Sequence, residues 1–123
     1  MDPRLNALSI LVVDDDEDIR AGMSLALRAE GAEVLQATDG NEAVALWRSH
    51  EPAVVVLDMM LPKRSGFLVL EELRAATEPP IVVMVTANEG RRHQEYAHAI
   101  GVHAYLTKPI PLETLIQTIE DLL

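Results

Sequence analysis

The stretch Ala53-Val54-Val55-Val56-Leu57-Asp58 constrains this chain more than any other. Its apolar, β-branched residues run without polar interruption, which fits a strand buried on both faces of a parallel sheet. The run ends abruptly in Asp58, and Met59-Met60-Leu61-Pro62 follows as a proline-bounded turn. Asp58 therefore falls at a strand's C-terminal end, the edge where open α/β sheets bind ligands. A lone carboxylate there is either a site for chemistry or a simple turn starter. The rest of the chain has to decide.

Ile10-Leu11-Val12-Val13 repeats the pattern and also runs into acid, Asp14-Asp15-Asp16-Glu17-Asp18. Ile19, Gly22, Met23, Ala26 and Leu27 then fall on one helical face, and Gly31 offers a stop. Helix capping and the macrodipole account for Asp16, Glu17 and Asp18. They account less well for Asp14 and Asp15, which still belong to the strand end. Glu33 to Ala37 is a half-polar strand suited to a sheet's outer position. Asp39 and Glu42, at capping-box spacing, open a helix through Ala43, Val44, Leu46 and Trp47 that stops before Pro52. Trp47 is expected in the core. Ser65 and Gly66 begin a helix carrying Phe67, Leu70 and Leu73, and Pro79-Pro80 leads to a fourth buried strand, Ile81 to Val85, ending in Thr86-Ala87. A polar helix from about Glu89 to Ile100 reaches a strand at Val102 to Leu106, which ends in Thr107-Lys108-Pro109. Pro111 suits the first turn of a last helix with a stripe of Leu112, Leu115, Ile116, Ile119 and Leu123. Five strands alternating with five helices through short connections imply a parallel sheet covered on both faces.

The 123 residues suit one domain, with positions 1–8 as a short lead. A net charge of −10 excludes the basic stripe that nucleic acid or an anionic membrane requires, and only one Trp, two Tyr and one Phe are present for base stacking. The absence of cysteine excludes disulfides and thiolate metal sites. No signal-peptide core or membrane-length apolar run occurs, so a cytoplasmic protein is the expectation.

Comparing strand ends brings Asp14 and Asp15, Asp58, Thr86 and Lys108 to one edge. Three carboxylates in a partly desolvated cleft repel one another, and a hard divalent cation relieves them. Mg²⁺ fits best, because it keeps several waters and takes few carboxylates together with phosphate oxygens. A hydroxyl and an ammonium beside it suit a transferring phosphoryl group, and an aspartate is a competent nucleophile toward phosphorus.

The segments ILVVDDDED, LDMMLPKRSG, VTA at Val85 to Ala87 and YLTKP at Tyr105 to Pro109, in this order, resemble the response-regulator receiver domains of two-component signalling over Ser9 to Leu123. The resemblance implies a flavodoxin-like sheet of order 2-1-3-4-5. It implies that Asp58 accepts a phosphoryl group from the phosphohistidine of a sensor histidine kinase or phosphotransfer protein. Asp15 is then the principal acidic Mg²⁺ ligand, with Asp14 supporting through water and Met60 offering its backbone carbonyl. Thr86 and Lys108 hold phosphoryl oxygens, and the Lys108-Pro109 bond is cis. Movement of Thr86 toward the phosphoryl group makes room for Tyr105, so that the surface of the fourth helix, fifth strand and fifth helix changes partners. Those partners are a downstream protein or a fused output domain, or a second copy in a phosphorylation-dependent homodimer. The domain is a signalling switch and not an enzyme in its own right.

The turn after Asp58 departs from the family's frequent pattern at Leu61 and Ser65. The resemblance implies that Met60 and Asn88 flank the path of an attacking water, and an apolar Met60 then implies slow loss of the phosphoryl group. Three rival readings fit less well. A phosphohydrolase normally wants a second Asp where Met60 stands. A flavin or nucleotide binder wants a glycine-rich loop after the first strand. A scaffold that has lost phosphorylation would not need the intact set Asp15, Asp58, Thr86 and Lys108. His93, His98 and His103 lack zinc spacing, Arg91 and Arg92 suit a solvated face, and the acidic run lacks the glycine and terminal glutamate of a calcium loop.

Overall fold

The computed structural model describes residues 3–123. The chain runs β1 (Ser9–Val13), α1 (Glu17–Ala29), β2 (Glu33–Ala37), α2 (Gly40–His50), β3 (Val54–Leu57), α3 (Gly66–Arg74), β4 (Ile81–Thr86), α4 (Arg91–Ile100), β5 (Ala104–Thr107) and α5 (Leu112–Leu122). All neighbouring strands pair in parallel, in the order β2-β1-β3-β4-β5. This is the doubly wound, flavodoxin-like sheet, and its order reverses between β1 and β3, where such folds open a crevice. Val13 lies opposite Leu57, so Asp14 and Asp58 leave the sheet at the same level on adjacent strands.

Strand parity explains the uninterrupted apolar runs. Leu11, Val13, Val55, Leu57, Val82 and Met84 pack under α2, α3 and α4, whereas Ile10, Val12, Val54, Val56, Val83 and Val85 pack under α1 and α5. Successive side chains enter opposite cores, so β1 and β3 have no solvent face. The half-polar β2 is an edge strand, as its composition predicts.

Capping follows the sequence closely. Asp16 accepts from the Ile19 amide, Asp39 from Glu42 and Ser65 from Leu68. The Glu42 carboxylate reaches back to the Thr38 amide, one residue before the cap itself. Other expectations need adjustment. Helix α4 starts at Arg91, leaving Ala87 to Gly90 as a loop, and Pro111 is the cap of α5 and not part of its first turn. Val69, Leu70 and Leu73 of α3 enter the core, and Phe67 packs partly buried against it. Phe67 also reaches α4, stacking on His93 and meeting Tyr96 edge-on; Ala97 is the buried residue of that helix. Trp47 is partly buried against the α2–α3 core.

Candidate functional site

The C-terminal edge of the sheet gathers the residues that its strand ends supply. Asp14, Asp58 and Lys108 continue the parity of the α1–α5 face, and they meet there. Lys108 Nζ donates to Asp14 Oδ2 at 2.6 Å and to Asp58 Oδ2 at 3.0 Å. Asp58 Oδ1 accepts from the Met60 amide, and Asp14 Oδ1 accepts from the Asp16 amide. Asp14 and Thr86 are fully buried and Asp58 is 6% exposed, while Asp15 lies on the solvent side. The Lys108–Pro109 peptide bond is cis, and the Lys108 amide donates to the Thr86 carbonyl, tying the end of β5 to the end of β4.

Charge at this edge is unbalanced. Carboxylate oxygens of Asp14, Asp15 and Asp58 all lie within 4.8 Å of one another, with the Lys108 ammonium bonded to two of the three groups. Burial pushes the Asp14 carboxyl above the ordinary aspartate range, outweighing the opposing pull of Lys108 and the Asp16 amide. Burial alone would lower the Lys108 ammonium, yet the hydrogen bonds it donates to both carboxylates hold it above its usual value. Lys108 gains from two anions, whereas Asp14 shares its cation and is repelled by Asp58, so the two shifts do not mirror each other. A further cation with oxygen preference fits this donor set. Among the described residues no backbone amide donates to the Met60 carbonyl, which leaves that oxygen available as well.

Backbone approach around Asp58 is close. A Cβ at Gly66 would lie 2.2 Å from the Asp58 carbonyl oxygen and 2.6 Å from Met59 Cα, and the Gly66 amide donates to the Met59 carbonyl. Glycine is thus the residue that lets α3 start against the Asp58 turn. The same turn is held from the other side by the Gly40 amide on the Pro62 carbonyl and by Arg64 on Glu72 at 2.5 Å. Within this turn Met60 is 65% exposed.

Thr86 and Tyr105 continue the opposite parity, toward α4. Burial and the charge of Asp58 raise the Tyr105 phenol, which donates to the Asn88 carbonyl at 2.7 Å. Asn88 in turn donates its amide to Thr86 Oγ1 at 3.4 Å. The ring of Tyr105 is therefore linked through the β4–α4 loop to the hydroxyl at the site. On the α1–α5 face, an apolar groove of about 490 Å³ adjoins Lys108, walled by Ile19, Met23, Val85, Pro109 and Leu112.

Arg20 was not among the sequence candidates. Its guanidinium donates to the Asp14 carbonyl and to Gln36 Oε1. The Asp14 carbonyl lies six residues before it, across the β1–α1 turn, whereas Gln36 is brought to it by the β1–β2 pairing. His93 and His98 join no cluster of metal-ligating groups among the described residues, consistent with their spacing.

The fold and site thus define a doubly wound α/β domain with an acidic crevice at its β1–β3 switch point. Residues 10–120 match the response regulator receiver domain family, and the chain belongs to it. It is similar to a probable transcriptional regulatory protein, TcrX, of Mycobacterium tuberculosis, at 37% identity over 116 residues. Those residues are 94% of this chain and 50% of that protein, so the chain spans about half the length of this curated relative. Among solved structures, the chemotaxis protein CheY4 of Vibrio cholerae superposes with a TM-score of 0.89 at 29% identity, covering 95% of this chain and 99% of that one. The N-terminal domain of a Wolinella succinogenes protein gives 0.88 at 36% identity, covering 94% and 93%. The chain is thus the receiver domain of a two-component response regulator. Such domains are signalling modules, typically phosphorylated on aspartate with Mg²⁺ at an acidic pocket. Among the described residues no helix is long and apolar enough to cross a membrane.

Proposed function

We propose that residues 1–123 act as one phosphorylation-driven switch, in which Asp58 takes a phosphoryl group from the phosphohistidine of a sensor kinase or phosphotransfer protein. The observation that carries this reading is the Lys108 ammonium bridging Asp14 and Asp58 with Asp15 within 4.8 Å. The carboxylates of Asp14, Asp15 and Asp58 and the Met60 carbonyl would hold Mg²⁺, which when bound would supply charge neutralisation for the transferring group.

The chain's own residues do the rest. An Asp58 carboxylate oxygen attacks phosphorus, the phosphorus–nitrogen bond to the donor imidazole breaks, and the departing imidazole keeps the electron pair and takes up a proton. Lys108 follows the phosphoryl oxygens, exchanging its bond to Asp58 Oδ2 for one to the new group. The Thr86 hydroxyl donates to another phosphoryl oxygen, which draws it away from the Asn88 amide. Tyr105, tied to the Asn88 carbonyl, carries that change to α4, β5 and α5. The groove beside Lys108 receives the donor protein, whose apolar surface covers Ile19, 37% exposed, and Leu112, 41% exposed. The α4–β5–α5 surface acts on a downstream protein, an output domain or a second copy, and the setting is the cytoplasm.

The test is intact mass after incubation with acetyl phosphate, with Mg²⁺ or with chelator, beside an Asp58→Ala control. One Mg²⁺-dependent phosphoryl adduct that the control lacks is the expected result. Absence of any adduct on folded, Mg²⁺-binding wild-type protein refutes the phosphoacceptor reading.

A further inference from the structure

Asp15 is the weakly held member of the acidic trio. Asp14 is fixed by Lys108 and the Asp16 amide, and Asp58 by Lys108 and the Met60 amide. Among the described residues the Asp15 side chain has no hydrogen-bond partner, and it is exposed. What positions it has to act through its backbone.

The Asp14 carbonyl belongs to the peptide unit that carries the Asp15 amide, and a planar peptide moves as one piece. Arg20, one turn into α1 and half-buried, donates Nη1 to that carbonyl at 3.0 Å. Its Nε donates to Gln36 Oε1 on β2 at 3.1 Å, which sets the plane of the guanidinium. The other side of the Asp14 residue is anchored by its own amide on the Ala37 carbonyl at 3.2 Å. The β1–α1 turn is thereby braced between α1 and the edge strand β2.

We infer that Arg20 is a positioning residue, braced by Gln36, that orients the Asp14–Asp15 peptide and so presents the Asp15 carboxylate to a divalent cation. This rests on the reading of the acidic trio as a Mg²⁺ site. A rigid planar fork suits the task, because it satisfies a carbonyl and an amide oxygen together where a lysine ammonium sets no plane.

Arg20 also brings positive charge toward an acidic crevice, and the two effects have opposite signs. A purely electrostatic Arg20 would weaken cation binding, so its removal would tighten it. A positioning Arg20 strengthens binding, so its removal loosens it. Mutations of groups that orient metal ligands cost on the order of 10-fold in affinity.

The experiment is isothermal titration of MgCl₂ into the full chain at fixed ionic strength and neutral pH, for wild type, Arg20→Ala, Arg20→Lys and Gln36→Leu, each checked for cooperative unfolding. Positioning predicts Mg²⁺ binding about 10-fold weaker in Arg20→Ala, clearly weaker in Arg20→Lys despite the retained charge, and weakened in Gln36→Leu. It also predicts that half-maximal labelling of Arg20→Ala by acetyl phosphate needs about 10-fold more Mg²⁺ than wild type. If Arg20→Ala does not fold, Gln36→Leu, which leaves the arginine in place, decides the matter. Equal or tighter Mg²⁺ binding in the variants, with wild type binding normally, overturns the role of Arg20 alone. Failure of wild type to bind Mg²⁺ overturns the reading of the site and this inference with it.

Discussion

Replacing Asp15 with Asn should make the metal-free protein more stable while removing its response to Mg²⁺. The side chain keeps its shape, and no hydrogen bond within the described residues is lost. What changes is repulsion. At 4.8 Å two unit charges repel by about 3.5 kcal/mol at an effective dielectric near 20, and by about 0.9 kcal/mol in bulk water. Lys108 neutralises one of the two other carboxylates, so Asp15 faces roughly one net negative charge. Because Asp15 is exposed, solvent screening selects the lower end, a gain of about 1 kcal/mol. For a domain of this size that raises the melting temperature by about 4 °C. The assay is urea and thermal unfolding of both proteins in chelator and in MgCl₂. Mg²⁺ at about ten times its dissociation constant stabilises wild type by roughly 1.4 kcal/mol and the variant by much less, so the order of stability closes or reverses. In about 1 M NaCl, where the screening length falls near 3 Å, the metal-free difference shrinks toward zero. A metal-free Asp15→Asn protein less stable than wild type would refute the argument that this edge is strained by like charge.

Three further outcomes are expected. Gly66→Ala places a Cβ against the Asp58 carbonyl oxygen and Met59 Cα, costing about 1–3 kcal/mol in chemical denaturation and lowering labelling by acetyl phosphate; a variant of unchanged stability and labelling would contradict the close approach. Met60→Asn should shorten the phosphoryl lifetime several-fold at constant Mg²⁺, since a polar group then stands two residues from Asp58 where an exposed thioether does now; equal decay rates would rule out any role for position 60 in admitting water. Asp39→Ala should cost about 1 kcal/mol at neutral pH through loss of the α2 cap. The Glu42 amide, with Lys63, holds the Asp39 carboxyl below its ordinary 3.8. A depressed folded value means that the stability contribution is complete above 3.8 and disappears as pH falls through the lower folded value. The Asp39→Asn and wild-type stabilities should therefore converge only below that point, and convergence near neutral pH would show that the carboxylate charge contributes nothing.

The same molecule divides cleanly into what chain order specifies and what folding adds. Alternating apolar runs and amphipathic stretches determine five strands and five helices, because burial on both faces demands unbroken apolar strands and the caps at Asp16, Asp39 and Ser65 are contacts within three residues. Which residues share the sheet's C-terminal edge was legible for the same reason: Asp14, Asp58 and Lys108 each follow a strand, Thr86 ends one, and parallel strands end together. Tertiary structure alone decided that Lys108 bridges Asp14 and Asp58 across 94 and 50 residues, that Gln36 of β2 meets the Arg20 guanidinium, and that Phe67 meets His93 and Tyr96 of α4. Those pairings depend on strand register and on which helices pack together, and neither leaves a periodic mark in the order of residues.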